Sequence, residues 1–179
     1  MIKDYVAHTN ESLRAAVKEY FEDKAAAERR HGKMGTWDVS RVTDMSRLFE
    51  GKHRFNDSGI GAWDTSSVTT MSGMFAFCES MNSDLSAWDT SSVVTLAALF
   101  YRCVRFTGDG IGAWDTSSVS RISVMFQGCS RLNVDLSCWD LSSVDTAREN
   151  WLSMFWQAGN FDVERVPAAL QHLGIRLTD

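Results

Sequence analysis

Apolar positions recur along this chain with one long period and one short one. Tryptophan followed by aspartate stands at Trp37, Trp63, Trp88, Trp114 and Trp139, at spacings of 26, 25, 26 and 25 residues. Five residues after each tryptophan comes a valine: Val42, Val68, Val93, Val119 and Val144. Eight after it come Met45, Met71, Leu96 and Ile122, with Ala147 breaking the row. Leu48-Phe49, Met74-Phe75, Leu99-Phe100 and Met125-Phe126 follow at eleven and twelve, and Phe55, Met81, Phe106 and Leu132 at eighteen. So many agreements at fixed offsets mark a tandem repeat, in which each unit buries its apolar face against the next.

Within a unit the short period changes. Val68, Met71, Met74, Phe75 and Cys78 make the i, i+3, i+4, i+7 stripe of an amphipathic helix. The serines before each valine (Arg41 replaces the second in the first unit) suit a helix N-cap. The alternation in segments such as Asp84–Thr90 suits a short strand. The pattern therefore predicts strand, tight turn, helix and return loop. Strands joined through a helix run parallel, so the expected fold is α/β: a parallel sheet with one short helix per 25–26-residue repeat. The return loops alternate between Asp57-Ser-Gly-Ile-Gly or Asp109-Gly-Ile-Gly and the shorter Asp84-Leu-Ser or Asp135-Leu-Ser.

Helical caps are expected at both ends, because a stack exposes apolar faces there. Residues 10–31 carry Leu13, Ala16, Val17 and Tyr20 on one helical face and end at Gly32. Residues 145–179 abandon the repeat, with a helix opened by Pro167 and closed by Gly174. The expected organisation is one domain, with an N-terminal cap over 1–34, repeats over 35–144 and a C-terminal cap over 145–179.

The unit L-S-x-W-D-T-S-S-V-x-x-M-x-x-M-F resembles the BspA-like leucine-rich-repeat family over residues 35–144, with 11–35 similar to its entry segment. The resemblance implies a leucine-rich-repeat-like solenoid, often displayed on bacterial surfaces or found in aquatic unicellular eukaryotes, that serves adhesion or protein binding. It implies no catalytic residues.

Composition narrows the function. Of 179 residues, 44% are hydrophobic and 23% charged, an ordinary globular balance. The longest apolar runs fall far short of a membrane span. A net charge of −5 argues against nucleic acid as the main partner. No export signal or lipid-attachment motif is visible in this chain, which favours an intracellular location, while the resemblance allows a surface or secreted one. Cys78, Cys103, Cys129 and Cys138 form no CxxC pair and are expected as reduced, buried thiols.

Stacking turns each repeated residue into a row, and each row has a structural and a functional reading. The tryptophans fill the core or form an exposed aromatic strip. Asp38, Asp64, Asp89, Asp115 and Asp140 bond to the following Thr-Ser-Ser turn or compensate a cation. Cys78, Cys103 and Cys129 pack as small apolar groups or hold a metal. In all three rows the structural reading is favoured, and no cofactor or metal is expected. Thr65, Thr90 and Thr116 raise a further reading, a regular hydroxyl array facing ice or a crystal. Arg54, Arg105 and Arg131 are placed near helix C-termini, where cations complement the dipole, or make a patch for an acidic partner. His8, His31, His53 and His172 share no spacing, so an enzyme has no support here.

Specificity in a repeat protein is written where units differ. The candidate partner-binding residues are Phe77, Tyr101, Arg102, Arg105 and Arg131, of types common in binding hot spots. Trp151, Phe155 and Trp156 offer a second patch, more plausibly closing the core. The expected function is a non-catalytic protein-interaction or scaffold module, with a surface adhesin of the BspA-like type as the alternative.

Overall fold

The computed structural model describes residues 7–144, 153–159 and 161–168. Two α-helices lie wholly within them, α1 (Asn10–Glu22) and α2 (Lys24–His31). The rest is turns, short 3-10 segments and extended coil. Among the described residues there is no β-strand, no sheet and no α-helix in any repeat. The expected sheet with a helix per unit is therefore corrected: the units stack, but through turns.

The amides explain why. In the stretch expected to be helical, the N–H groups of Met71, Gly73, Phe75 and Phe77 donate to the carbonyls of Thr95, Ala97, Leu99 and Tyr101 in the next unit. Those of Met74, Ala76 and Cys78 donate three residues back, to Met71, Gly73 and Phe75. Amides thus alternate between a neighbouring unit and a tight turn. Leu96, Ala98, Phe100 and Arg102 repeat the outward bonds to Arg121, Ser123, Met125 and Gln127.

Two positions per unit make this possible. Arg47, Gly73, Ala98 and Val124 (ten after the tryptophan) and Gly51, Phe77, Arg102 and Gly128 (fourteen after it) all have positive φ, from +52° to +79°. Each is the third residue of a four-residue turn such as Met71–Met74 or Phe75–Cys78, where a type II turn requires a left-handed residue. Paired turns place residues 71, 74, 75 and 78 inside, the same inward set that a helix would give. The helical stripe was a true burial pattern with another backbone beneath it. An isolated helix of two turns is marginal in water, whereas this backbone bonds each unit to the next.

The expected strands are also turns: Trp88 N–H donates to Leu85 O and Val93 N–H to Thr90 O. The serines before each valine belong to these turns and cap no helix. Among the described residues sheet-like pairing is confined to isolated parallel bridges joining Asp44, Thr70, Thr95 and Arg121.

Aromatic columns run through the core. Phe49, Phe75, Phe100, Phe126 and Phe155 stack with successive ring centroids 5.7, 5.7, 5.9 and 5.7 Å apart. Trp88, Trp114 and Trp139 stack at 6.3 and 6.5 Å, nearly parallel. The register of Phe155 shows that the repeat resumes after residue 144. Phe126 N–H donates to Met154 O and Gly128 N–H to Trp156 O, so Met154-Phe155 stand where Met125-Phe126 stood, delayed by four residues. Phe161 then stacks on Phe155 at 4.6 Å as Phe106 does on Phe100 at 3.9 Å. Of the helix placed between Pro167 and Gly174 only Pro167 and the helical Ala168 are described; the rest of it, and Trp151, lie outside the described residues.

Helix α1 closes the first unit. Thr9 caps it and Leu13, Ala16, Val17 and Tyr20 are its buried face. Its outer residues take the bonds that a preceding unit would have made: Asn10 Oδ1 accepts from the amides of Thr43 and Asp44, and the Arg14 guanidinium donates to Ser46 O and Asp44 O. Arg14 also pairs with the Asp44 carboxylate at 3.2 Å.

Candidate functional site

Most repeated side chains are consumed by the stack. Each tryptophan of the Trp-Asp row is buried, and from the second unit on its indole N–H reaches a carbonyl of the segment before: Trp63 to Met34, Trp88 to Ile60, Trp114 to Leu85 and Trp139 to Ile111, at 2.9–3.1 Å. Thr65, Thr90 and Thr116 are 1% exposed and donate to the carbonyls of Asp89, Asp115 and Asp140, which removes the hydroxyl array from the surface. The aspartates bond locally. Asp64, Asp89 and Asp115 each accept from the amide and hydroxyl of the serine two residues on. These serine bonds hold the carboxyls of Asp38, Asp89, Asp115 and Asp140 below the usual range.

The thiols of Cys78, Cys103 and Cys129 donate to Phe49 O, Phe75 O and Phe100 O, each 3.0 Å away and one unit earlier. Burial pushes the Cys78 thiol up to about 12 and raises Cys103 and Cys129 as well. All four cysteines are free, but Cys138 is exposed, correcting the expectation that every thiol is buried. Among the described residues no group of three or more His, Cys, Asp or Glu side chains could hold a metal ion.

The edge that runs from thirteen to seventeen residues after each tryptophan is different, because there the units diverge. Phe77 and Tyr101 meet edge to face at 5.1 Å. The Arg102 guanidinium lies 5.7 Å from the Tyr101 ring, and its Nε donates to the Tyr101 hydroxyl at 3.3 Å. Phe77 and Arg102 occupy positive-φ turn positions; Phe77 and Tyr101 are half-buried and Arg102 is exposed. The structure thus unites three of the five candidates. Arg105 and Arg131 are exposed in the following loop and form no ion pair among the described residues. Among the described residues no α-helix ends near Arg54, Arg105 or Arg131, so the dipole account of that row is withdrawn. Val104, between the arginines, is 38% exposed, and its carbonyl accepts from the Ser130 hydroxyl of the next unit. Of the second patch, Phe155 is core and Trp156 is half-buried.

A feature missed in the sequence lies where this edge meets α1. A cavity of about 510 Å³ is lined by Tyr20, Phe21 and Lys24 from the cap region and by residues 52–57 of the first unit. Phe21 is 36% exposed, and Lys52 Nζ sits 4.6 Å from its ring centroid. The Tyr20 hydroxyl donates to Asp57 Oδ2 at 3.1 Å. The one available signal was Lys52, fifteen after Trp37, where later units have cysteine.

A helix-capped stack of turn-built units with a divergent aromatic and arginine edge defines a repeat protein. The chain belongs to the repeat family described as "Mycoplasma protein of unknown function, DUF285", which matches residues 15–112 and 96–167. No curated protein and no solved structure matches it. Among the described residues no helix is long and apolar enough to cross a membrane.

Proposed function

We propose that this protein is a non-catalytic interaction or scaffold module that holds a protein partner along the Phe77–Tyr101–Arg102 edge. The observation that carries the reading is the contrast between this edge and the other repeated positions: the aspartates, threonines and repeat thiols are engaged in structural bonds, while this edge clusters aromatic rings with Arg102 and is followed in the loops by the exposed Arg105 and Arg131. Aromatic and arginine side chains dominate binding energies at protein interfaces, and unpaired guanidinium groups fit acidic side chains bidentately. The partner surface is therefore apolar at its centre and acidic at its rim.

The resemblance of the repeat to the BspA-like family adds an alternative, display as an adhesin, which rests on analogy of sequence. Protease shaving of intact source cells separates the two, since a surface adhesin is degraded and an internal scaffold is spared. The binding edge is tested by replacing Tyr101 and Arg105 together with alanine. The expected result is an unchanged melting temperature with loss of the crosslinked complexes formed by the wild-type protein. Retention of those complexes by the folded variant removes the edge from the reading.

A further inference from the structure

The cavity between α1 and the first unit has the size, floor and charge of a small-molecule site, and we infer that it takes a small organic anion bearing an aromatic ring. Its volume of about 510 Å³ lies in the range of roughly 300–1,000 Å³ common for ligand pockets. It exists because the cap is incomplete. Asn10 and Arg14 of α1 replace a preceding unit over residues 43–46. At the later turns of the first unit Phe21 leans over the column, 6.3 Å from Phe49 and 6.0 Å from Phe55.

The charges favour an anion. Lys24, Lys52 and Arg54 line the cavity with one carboxylate, Asp57. That carboxylate is already engaged, accepting from the Tyr20 hydroxyl and from the Gly59 amide. Lys24 pairs with Glu28, and His53 faces Glu79 at 3.2 Å. Neither Lys52 nor Arg54 forms an ion pair among the described residues. Two cations free of carboxylates, on a protein of net charge −5, are a local reversal of sign.

The ring requirement comes from Phe21. It is one of the few large apolar side chains left exposed, and Lys52 stands over its face. A planar ring can stack on Phe21 while its carboxylate or phosphate reaches Lys52 and Arg54, combining aromatic contact with charge-assisted hydrogen bonds. Lys52 itself departs from the repeat: without a preceding unit there is no carbonyl for a cysteine thiol to meet, and the position is released for a cation.

The test titrates the full chain with phenyl phosphate, benzoate, inorganic phosphate and benzyl alcohol, following amide shifts of residues 20–24 and 52–57 by NMR. Expected is saturable binding of a ring-bearing anion, with inorganic phosphate and benzyl alcohol each weaker by about tenfold or more, and the tighter of phenyl phosphate and benzoate naming the anionic group. Lys52→Gln with Arg54→Gln should weaken that anion about tenfold at an unchanged melting temperature. Should the double variant melt early, Arg54→Gln alone supplies the comparison, because Arg54 is exposed and its side chain makes no bond within the stack among the described residues. Absence of saturable binding by either ring-bearing anion overturns the inference. So does equal binding of inorganic phosphate, or full affinity in the folded variant.

Discussion

The thiol of Cys103 donates to the main-chain oxygen of Phe75 across the boundary between two units, at 3.0 Å. Cys78 and Cys129 make the same bond to Phe49 and Phe100. These cysteines are therefore neutral, buried donors, and their ionisation opposes folding.

Two measurements follow from that relationship. In the native protein Cys138 alone should react with a thiol reagent near neutral pH, and all four cysteines after denaturation. Stability should also fall on the alkaline side. A thiol whose folded-state value is raised stabilises fully below its unfolded value, about 8.5. That contribution is lost as pH climbs toward the folded value, about 12 for Cys78. Urea midpoints should therefore drop between pH 8 and pH 10, about where unfolded thiols ionise. A flat midpoint across that interval would show that the thiols contribute nothing.

Ala98 distinguishes the turn backbone from a helix by sign. Its φ is +56°, a conformation that costs an ordinary residue roughly 1–2 kcal/mol. Ala98→Gly should raise stability by about 1 kcal/mol. In a helix the same change would lower it by roughly 0.5–1 kcal/mol. Chemical denaturation of the two proteins decides.

Phe100 lies in the middle of the phenylalanine column, stacked on Phe75, Phe106, Phe126 and Trp114. Phe100→Ala should cost about 3–5 kcal/mol, the range for deleting a buried aromatic. Because each unit rests on its neighbours, the loss should spread to adjoining units. Hydrogen exchange should show lowered protection at Met71–Phe77 and at the amides of 96–102, while α1 changes less.

Much of the candidate site could be read before the structure. Divergence between units pointed to Phe77, Tyr101 and Arg102, and the three do meet. The cavity could not be read, since Tyr20 and Phe21 are more than thirty residues from Lys52 and Arg54, and their approach depends on how α1 lies over the first unit.

The long period by itself determined that like residues stack and which ones are buried, because side chains at a fixed offset in identical units share one environment. The short period marked the N-terminal helical cap through the face of Leu13, Ala16, Val17 and Tyr20, but not the break at Asp23 that divides residues 10–31 into α1 and α2. The backbone of each unit was decided by tertiary structure. An inward set at 68, 71, 74, 75 and 78 serves a helix and a pair of tight turns equally well, so apolar spacing does not separate them. The choice depends on where the amides bond. The N–H groups of Phe75 and Phe77 find carbonyls at Leu99 and Tyr101, and those partners exist only once a second unit lies alongside. The same dependence placed Phe155 in register after a four-residue delay: its place is set by stacking on Phe126 at 5.7 Å, a contact that no count along the chain contains.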